Sequence, residues 1–373
     1  MTNYKITGKQ MTSLFYMFWF GTLVLFGSDK DVKQDFWVSI LLAAIFMIPM
    51  AALYIRLAKL YPEKDLYEML FAIFGRFFGT VMSLISVFFS LFIGYRVLGS
   101  FSLYIKTTAL DTTPRNVTSI FFIMIAIAAV TCGAETIART SNLLIKFVIG
   151  FVVIATLICL GSMELGNLKP MMDSDLKMIL NSSYKIFIIP WSEAFVCLSF
   201  FSKMEQKANI KKILVNAMLL ITLTHLVIGL RNVLVLGPSA SVYYFSSDAA
   251  ISTASLGDFF ERFEILVGIN LVLAGTIKLC VLIYSASLGL SHILRNTEQK
   301  FLVVPCTLII LTTSLLDLQK LSDVFDRIPS LVISMTPFEV IFPIIILISA
   351  EIRNRKKTKP TADLPGDLPG IVQ

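Results

Sequence analysis

The chain has 373 residues, of which 56% are hydrophobic and 15% charged, and its mean hydropathy is +0.79. About a quarter of the residues of a soluble domain are charged, so this composition excludes a soluble globular protein. The charged residues lie in short clusters between apolar runs of about 20 residues, the length with which a helix crosses a bilayer, and these runs lack the alternating pattern of membrane β-strands.

Ten membrane-spanning helices are predicted from these runs, and the predicted fold class is therefore an all-α integral membrane protein. In chain order the helices cover residues 11–28, 36–56, 80–105, 116–134, 142–163, 184–202, 212–236, 263–293, 301–317 and 330–350. The first run is long for the apolar core of a signal peptide and no small-residue cleavage site follows it, so we expect an uncleaved helix. Residues 1–350 are assigned to the transmembrane domain and 351–373 to a flexible, basic cytoplasmic tail.

The distribution of Lys and Arg predicts the orientation of the helices. With the N-terminus inside, the inner segments carry more Lys and Arg than the outer ones. Because short cytoplasmic loops are enriched in these residues, we expect both termini to face the cytoplasm. The net charge of +7 then indicates contact with anionic membrane lipid and not with nucleic acid.

Two segments between the helices have a distinct composition. Residues 57–79 mix apolar and charged side chains, which predicts an amphipathic helix on the inner face of the membrane. Residues 238–260 are rich in Ser, Ala and Tyr and are predicted to form a polar outer loop.

The five cysteines all lie inside apolar segments, and the chain has only two histidines. The cysteine spacing matches neither a disulfide framework nor a zinc site. We therefore predict no metal site, no cofactor and no enzymatic activity.

Ionisable residues inside the predicted helices are the candidates for function, because an ionised side chain at the bilayer centre costs at least about 2.5–3.5 kcal/mol. Three of them lie too deep to reach the headgroups: Glu193, Lys278 and Glu339. Lys146 and Arg231 lie about one turn from a helix end, so we expect their side chains to extend to the membrane surface.

Glu193 follows a helix-breaking residue in the sequence Ile189-Pro190-Trp191-Ser192-Glu193. Proline lacks the backbone N–H and clashes with the preceding turn, so the sixth helix is predicted to be broken there. The first helix carries Gly21, Thr22 and Leu23 at a corresponding position. Matched interruptions in two halves of a chain are typical of a transporter site at the membrane midplane. The alternative is a kinked helix whose glutamate has a structural partner.

Lys278 lies on one face of the eighth predicted helix, together with small residues that admit a close neighbouring helix. Its ammonium needs a partner, which Glu193 or Glu339 could supply. The lysine could replace a coupling cation or form a structural ion pair, and both interpretations stay open. On the third helix, a stripe of small residues leads to Tyr95 and Arg96, and predicts either helix packing or a cavity wall: Ser83, Ser86, Ser90 and Gly94.

Several short motifs in this order and spacing make the chain resemble the GerAB-type spore germination permeases, the B subunits of nutrient germinant receptors. The motifs are Ile6-Thr7-Gly8-Lys9-Gln10, Gly21-Thr22-Leu23-Val24-Leu25, Asp35-Phe36-Trp37, Tyr61-Pro62, Gly75-Arg76-Phe77-Phe78-Gly79, Thr113-Pro114, Leu168-Lys169-Pro170, Glu193 and Glu261-Arg262-Phe263-Glu264, followed by Lys278. Thr22 stands where that family has a second glycine.

The resemblance implies a fold of the amino acid–polyamine–organocation (APC) superfamily, which is LeuT-like, with two inverted five-helix repeats and interrupted helices 1 and 6. It also implies a role in sensing a small, amino acid-like nutrient, with an A-type membrane subunit and a C-type lipoprotein as partners in the inner membrane of the spore. Two rivals are a proton-coupled secondary transporter of amino acids or cations, and a scaffold whose pocket has lost its ligand.

The predicted ligand site lies between the interrupted helices 1 and 6, with helices 3 and 8 completing it. Its residues are Gly21, Thr22, Leu23, Tyr95, Arg96, Trp191, Ser192, Glu193 and Lys278. Glu193 and Lys278 would set the polarity of the pocket, and Arg96 would attract a carboxylate.

Overall fold

The computed structural model describes residues 5–23, 25, 27–254, 263 and 265–358, and in these ranges the chain is built from helices. The α-helices are α1 (Gly8–Leu23), α2 (Phe36–Leu60), α3 (Leu66–Thr108), α4 (Arg115–Thr131), α5 (Ala134–Cys159), α6 (Leu176–Ile186), α7 (Ile210–Leu236), α8 (Ser246–Ala254), α9 (Ile265–Leu294), α10 (Gln299–Asp317), α11 (Leu321–Phe325), α12 (Ile328–Thr336) and α13 (Phe342–Thr358). Short 3₁₀ helices cover Lys33–Asp35, Leu160–Ser162, Leu165–Leu168 and Gly237–Ser241.

Eight helical stretches of the described ranges are long and apolar enough to cross a membrane. They correspond to the second, third and fifth to tenth predicted helices. The fourth, α4, is apolar but has 17 residues, and α1 has 16. The prediction of a multi-pass all-α membrane protein is confirmed, with eight long spans and these two shorter helices at the ten predicted positions.

The predicted amphipathic helix over residues 57–79 is wrong in its bounds. Its first residues belong to α2, and its second half belongs to the 43-residue helix α3. The break between the two parts of α3 is Gly75, whose φ of 75° lies in the left-handed region that glycine adopts without a steric penalty. Leu66, Tyr67 and Leu70 on the first part are buried, so this part packs against the protein.

The segment 238–260, predicted as a loop, contains the helix α8, which packs against α7 and α5. Residues 255–262 and 264 lie outside the described ranges. The family motif Glu261-Arg262-Phe263-Glu264 therefore lies there as well, except for Phe263.

The sixth predicted helix is broken as expected at Pro190. Regular α6 ends at Ile186, a π-helical turn covers Phe187–Trp191, and a 3₁₀ helix continues over Ser192–Lys203. Within the turn, Ile189 has the extended dihedral angles φ −117° and ψ 110°. Proline explains the break, because its nitrogen cannot continue the hydrogen-bond ladder and its ring displaces the preceding turn. In the first helix no interruption lies at Gly21 itself, because α1 is regular through this residue and ends at Leu23.

A second π-helical turn, Pro337–Ile341, joins α12 to α13 and carries Glu339. Turns of this kind are frequent at functional sites because they widen the helix locally. The helix α13 continues to Thr358, eight residues past the predicted end at 350, and residues 359–373 of the predicted tail lie outside the described ranges.

The interior of the bundle is formed by α1, α9 and the sixth predicted helix, Leu176–Lys203, which is called the broken segment below. Every residue of α1 from Ser13 to Leu23 is buried, and α1 packs against α5, α7 and α9. In the most apolar stretch of Leu176–Lys203, 89% of the residues are buried, against 28% in Ala134–Ser162 and in Gln299–Asp317. The broken segment is therefore central, whereas α5 and α10 present apolar side chains outward, as expected of helices in contact with lipid.

Candidate functional site

A buried lysine joins the three central elements. The ammonium of Lys278, on α9, forms an ion pair with the carboxylate of Glu193 on the broken segment and donates a 2.5 Å hydrogen bond to the hydroxyl of Thr22 on α1. It also lies 4.6 Å from the centre of the Phe18 ring, a cation–π contact. Lys278 has no exposed surface and Glu193 is 3% exposed. Such a pair holds only when its charges are matched and hydrogen-bonded, as they are here.

The close approach of α1 to α9 depends on Gly21. A β-carbon built at Gly21 would lie 3.0 Å from the carbonyl oxygen of Ala274 and 3.1 Å from the β-carbon of Lys278. Contacts of this length are tighter than ordinary van der Waals contact, so glycine lets the two helices meet closely at the turn that carries Lys278. The next residue, Thr22, is thereby brought within reach of the ammonium.

The polar backbone at the break is satisfied by side chains of neighbouring helices. The indole Nε1 of Trp19 donates a 2.8 Å hydrogen bond to the carbonyl oxygen of Trp191, and the hydroxyl of Tyr54 donates a 3.2 Å bond to that of Ser192. An irregular backbone is tolerated at membrane depth only with such partners. In contrast, the indole Nε1 of Trp191 is buried and has no hydrogen-bond partner among the described residues.

A second buried carboxylate lies on the other side of Ser192. The carboxylate oxygen Oε2 of Glu339 is hydrogen-bonded to the hydroxyl of Ser192, which also lies 3.1 Å from the carbonyl oxygen of Ile188. From sequence, Glu339 was a possible partner of Lys278; in the structure the direct partner of Lys278 is Glu193, and Glu339 contacts Ser192. The proline two residues earlier, Pro337, is the sequence signal that marks the turn on which Glu339 lies.

A small cavity of about 40 Å³ adjoins the ion pair. Its lining includes Thr22, Leu25, Arg96, Ile189, Glu193 and Ile328. One water molecule occupies about 30 Å³ in the liquid, which is only slightly less than this volume. Sites for small organic ligands measure about 300–1,000 Å³. The pocket beside the ion pair is therefore closed to a nutrient in this conformation.

A larger cavity of about 390 Å³, the vestibule, lies next to the small one. Three apolar residues line both cavities and separate them: Leu25, Ile189 and Ile328. Charged and aromatic side chains line the rest of the vestibule, among them Asp29, Asp31, Lys185, Tyr243, Tyr244 and Phe325. Lys185 bridges the two aspartates, with Nζ–Oδ2 distances of 3.4 Å to Asp29 and 2.6 Å to Asp31. The vestibule has the volume of a site for a small organic ligand.

The structure brings most of the predicted site residues together. Thr22, Glu193 and Lys278 are in direct contact, Ser192 adjoins them, and Arg96 lines the small cavity. Gly21, Leu23 and Trp191 are buried around the centre.

Tyr95 is the predicted site residue that lies apart. Its hydroxyl donates a 3.2 Å hydrogen bond to Asp317 at the end of α10, and its ring packs against Phe92. Three aromatic residues at the site were not predicted from the sequence: Phe18, Trp19 and Tyr54. In an apolar helix, the sequence does not distinguish an aromatic residue that only packs from one that also contacts a polar group at the site.

The small-residue stripe of α3 packs helices together. Ser90 lies 3.4 Å from the hydroxyl of Ser285 on α9, and a β-carbon at Gly94 would lie 2.7 Å from Ile310 on α10. The α3 residues that line the small cavity lie further toward the C-terminal end of the helix: Ile93, Arg96, Val97, Ser100 and Phe101. Of the two interpretations, packing is the one the geometry favours for the stripe.

Arg231 does not extend to the membrane surface as predicted. It is 3% exposed, and its guanidinium donates hydrogen bonds of 3.1 and 2.8 Å to the side-chain oxygen of Asn232. The amide of Asn232 in turn donates to the carbonyl of Gly27 and to Ser247 of α8. The helix α8, which was predicted to be a loop, covers this end of α7 and keeps the arginine from the membrane surface.

These features together define a multi-pass membrane protein with the LeuT-like transporter fold. The structure of MhsT in complex with L-phenylalanine matches with a TM-score of 0.66 at 13% identity, over 92% of this chain and 88% of that one. Mhp1, a nucleobase-cation-symport-1 family transporter in a closed conformation with bromovinylhydantoin bound, matches with a TM-score of 0.61 at 14% identity, over 91% and 78%. Identities this low show the fold alone, and the predicted LeuT/APC-like architecture is confirmed.

The chain belongs to the spore germination protein family, whose model matches residues 5–322. Spore germination protein KB of Bacillus subtilis (strain 168) is 22% identical over 369 residues, which are 96% of this chain and 98% of that protein. Spore germination protein YndE of the same strain is 22% identical over 298 residues, 78% and 82% of the two chains. The family comprises transporter-like membrane proteins and is not a class of enzymes, in agreement with the prediction.

Proposed function

We propose that this chain is the membrane subunit of a spore germinant receptor, and that it binds a small, amino acid-like nutrient between α1, the broken segment, α3 and α9. The observation that carries the proposal is the buried group of Thr22, Glu193 and Lys278, held where the break interrupts the helix. The family membership supports a role in germination. MhsT, which shares the fold, was solved with L-phenylalanine, which supports a ligand of that chemical class.

The charges in the pocket suit a zwitterion. Glu193 can pair with the ammonium of an amino acid, while Lys278 and Arg96 can pair with its carboxylate, the guanidinium in a bidentate manner. The unpartnered indole N–H of Trp191 is a further buried donor. A ligand that exchanges partners with the Lys278–Glu193 pair loses little electrostatic energy on leaving water, because every charge keeps a partner.

Ligand binding requires the layer formed by Leu25, Ile189 and Ile328 to move, since the small cavity holds about one water molecule. We infer that the nutrient enters through the vestibule and stabilises an opened arrangement of the broken segment. A ligand shifts such an equilibrium by the difference between its affinities for the two states. An A-type membrane subunit and a C-type lipoprotein, in the spore inner membrane, would read this shift. Both termini would face the cytoplasm.

The experiment compares spores that carry Glu193→Gln with wild-type spores and with spores that carry Glu135→Gln. Glu135 pairs with Arg139 at 3.7 Å on the exposed part of α5, so its amide variant is a matched control. We expect nutrient-triggered germination to be lost in Glu193→Gln and kept in the control at equal protein abundance. A wild-type response of Glu193→Gln would overturn the assignment of Glu193 to the pocket.

The second candidate is a proton-coupled secondary transporter of amino acids or cations that uses the same residues. The observation that favours it is the likeness to MhsT and Mhp1 over nearly the whole chain. Uptake of labelled amino acid into vesicles that contain this chain alone separates the two. Uptake without partner subunits supports the transporter, whereas ligand binding without uptake supports the receptor.

A further inference from the structure

Glu339 is the most completely buried carboxylate near the centre of the bundle. It has no exposed surface, and it lies on the π-helical turn between α12 and α13. One oxygen, Oε2, bonds to the hydroxyl of Ser192, and the other, Oε1, has no hydrogen-bond partner among the described residues. An ionised carboxylate in this environment would have an oxygen with neither a donor nor a counter-ion, and its desolvation would be strongly unfavourable.

The charged groups around Glu339 include no cation that is free to pair with it. Titratable and charged groups face it or its immediate contacts from three elements: Tyr54 of α2, Glu193 and Cys197 of the broken segment, and Lys278 of α9. Lys278 is the one cation in this set, and its ammonium is bound by Glu193 and Thr22. Arg96 lines the cavity beside Glu193. Arg96 acts on Glu193 and is not among the groups around Glu339, so ionisation of both carboxylates would leave Glu339 with no cation of its own in a medium of low dielectric constant.

The hydrogen atoms available at Ser192 also favour a protonated Glu339. The hydroxyl of Ser192 has one hydrogen but lies against two oxygen atoms, the carbonyl of Ile188 and Oε2 of Glu339. If Glu339 is an acid, it donates its own hydrogen to Ser192, which donates onward to Ile188, and each contact then has one hydrogen. If Glu339 is a carboxylate, one of the two contacts has none.

We propose that Glu339 is a proton-binding site, occupied by a proton in this closed arrangement, with Glu193 as the ionised partner of Lys278. A metal cation is a poorer occupant, because the described surroundings offer two carboxylate oxygens and one hydroxyl, fewer than the six or so ligands of a hard cation. The inference does not depend on which nutrient binds.

The proton site lies against the break and is therefore linked to its opening. Ser192 directly follows the π-helical turn of the broken segment, so displacement of that turn toward the vestibule removes the hydrogen-bond partner of Glu339 and admits water. Hydration favours the ionised carboxylate. Proton release and opening are then coupled, and acid pH holds the segment closed.

Infrared spectroscopy of the purified full-length chain in lipid tests the proposal. We expect the C=O band of a protonated carboxylic acid at neutral pH, which shifts in D₂O and is lost in Glu339→Gln. The amide retains the size of the side chain and a donor for Ser192. The matched control is Glu351→Gln on α13, because Glu351 is ion-paired with Arg56 at 2.5 Å and should not contribute to this band.

Ser192→Ala provides a second readout. Removal of the hydrogen-bond acceptor should move the C=O band to higher frequency without removing it, a change that a purely structural role of Ser192 would not cause. The proposal is overturned if the wild-type chain lacks the band at neutral pH, or if the band persists unchanged in a folded Glu339→Gln variant.

Discussion

The indole Nε1 of Trp19 donates a 2.8 Å hydrogen bond to the carbonyl oxygen of Trp191, and thereby connects α1 to the first residue after Pro190. The carbonyl lies at the break, where the π-helical turn changes to the 3₁₀ helix. One aromatic side chain of α1 thus holds the point at which the helix changes its winding. The break is therefore a fixed part of the structure and depends on a partner 172 residues away in the chain.

We expect Trp19→Phe to destabilise the protein by about 0.5–1.5 kcal/mol, because an aromatic ring is kept while the buried hydrogen bond to the Trp191 carbonyl is lost. Thermal unfolding in detergent, followed by tryptophan fluorescence or by the loss of monodisperse protein, measures the effect. Trp37→Phe on half-exposed α2 is the matched control and should change stability little. Equal unfolding temperatures of the two variants would contradict the proposed role of the indole N–H.

The Lys278–Glu193 ion pair predicts that substitutions of the two residues have non-additive effects on the stability of the protein. Lys278→Met leaves Glu193 as a buried charge without a cation, and removal of one partner of such a pair costs about 3–5 kcal/mol. Adding Glu193→Gln should recover a large part of that loss, because both charges are then absent. The unfolding temperatures of the two single variants and of the double variant, compared with wild type, measure the energetic coupling between the two residues.

Lys146→Met, on the exposed face of α5, is the control for the lysine substitution and should be close to neutral. If the effects of Lys278→Met and Glu193→Gln simply add, the two residues do not form the ion pair seen here.

The helices and the break were predictable because each depends on local sequence. Apolar run length sets a membrane span, and the missing N–H of proline weakens a helix in its interior, although α2 and α10 continue past Pro49 and Pro305. The depth of Glu193 and Lys278 followed from their positions along these runs, since neither can reach water from the middle of a span.

The pairings within the site were less predictable, because they depend on how helices distant in sequence are packed. Two buried glutamates were available to Lys278, and only the fold selects Glu193 for it and Ser192 for Glu339. Arg231 was misassigned for the same reason, since its exposure is decided by α8, a separate helix with little hydrophobic signal.

Packing of α3 on α9 predicts a strong effect at a single glycine. A β-carbon at Gly275 would lie 1.9 Å from Cε2 of the buried Phe101 ring. Gly275→Ala should therefore destabilise the protein by about 1–3 kcal/mol through overpacking. Gly150→Ala on α5 is the matched control, because nothing lies within 4 Å of its β-carbon position, and it should be neutral or slightly stabilising. Phe101→Leu in the Gly275→Ala background should restore part of the loss.

The layer between the vestibule and the small cavity predicts where ligand access can be blocked. Ile328 on α12 lines both cavities, so Ile328→Trp adds an indole at the point through which a nutrient would pass. We expect nutrient-triggered germination to fall at least tenfold in rate while protein abundance stays unchanged. The added side chain lies in open cavity volume, so it should cost the fold little.

Ile333→Trp on the same helix is the matched control, because that side chain is 76% exposed and faces away from both cavities. Binding of labelled amino acid to the purified chain measures access directly and separates blocked entry from a defect in signalling. A wild-type response of Ile328→Trp would mean that the nutrient reaches the receptor by another route. A loss in both variants would reflect damage to α12. Loss in Ile328→Trp alone would place the ligand path between Leu25, Ile189 and Ile328, the layer that separates the cavity beside Glu193 from the vestibule.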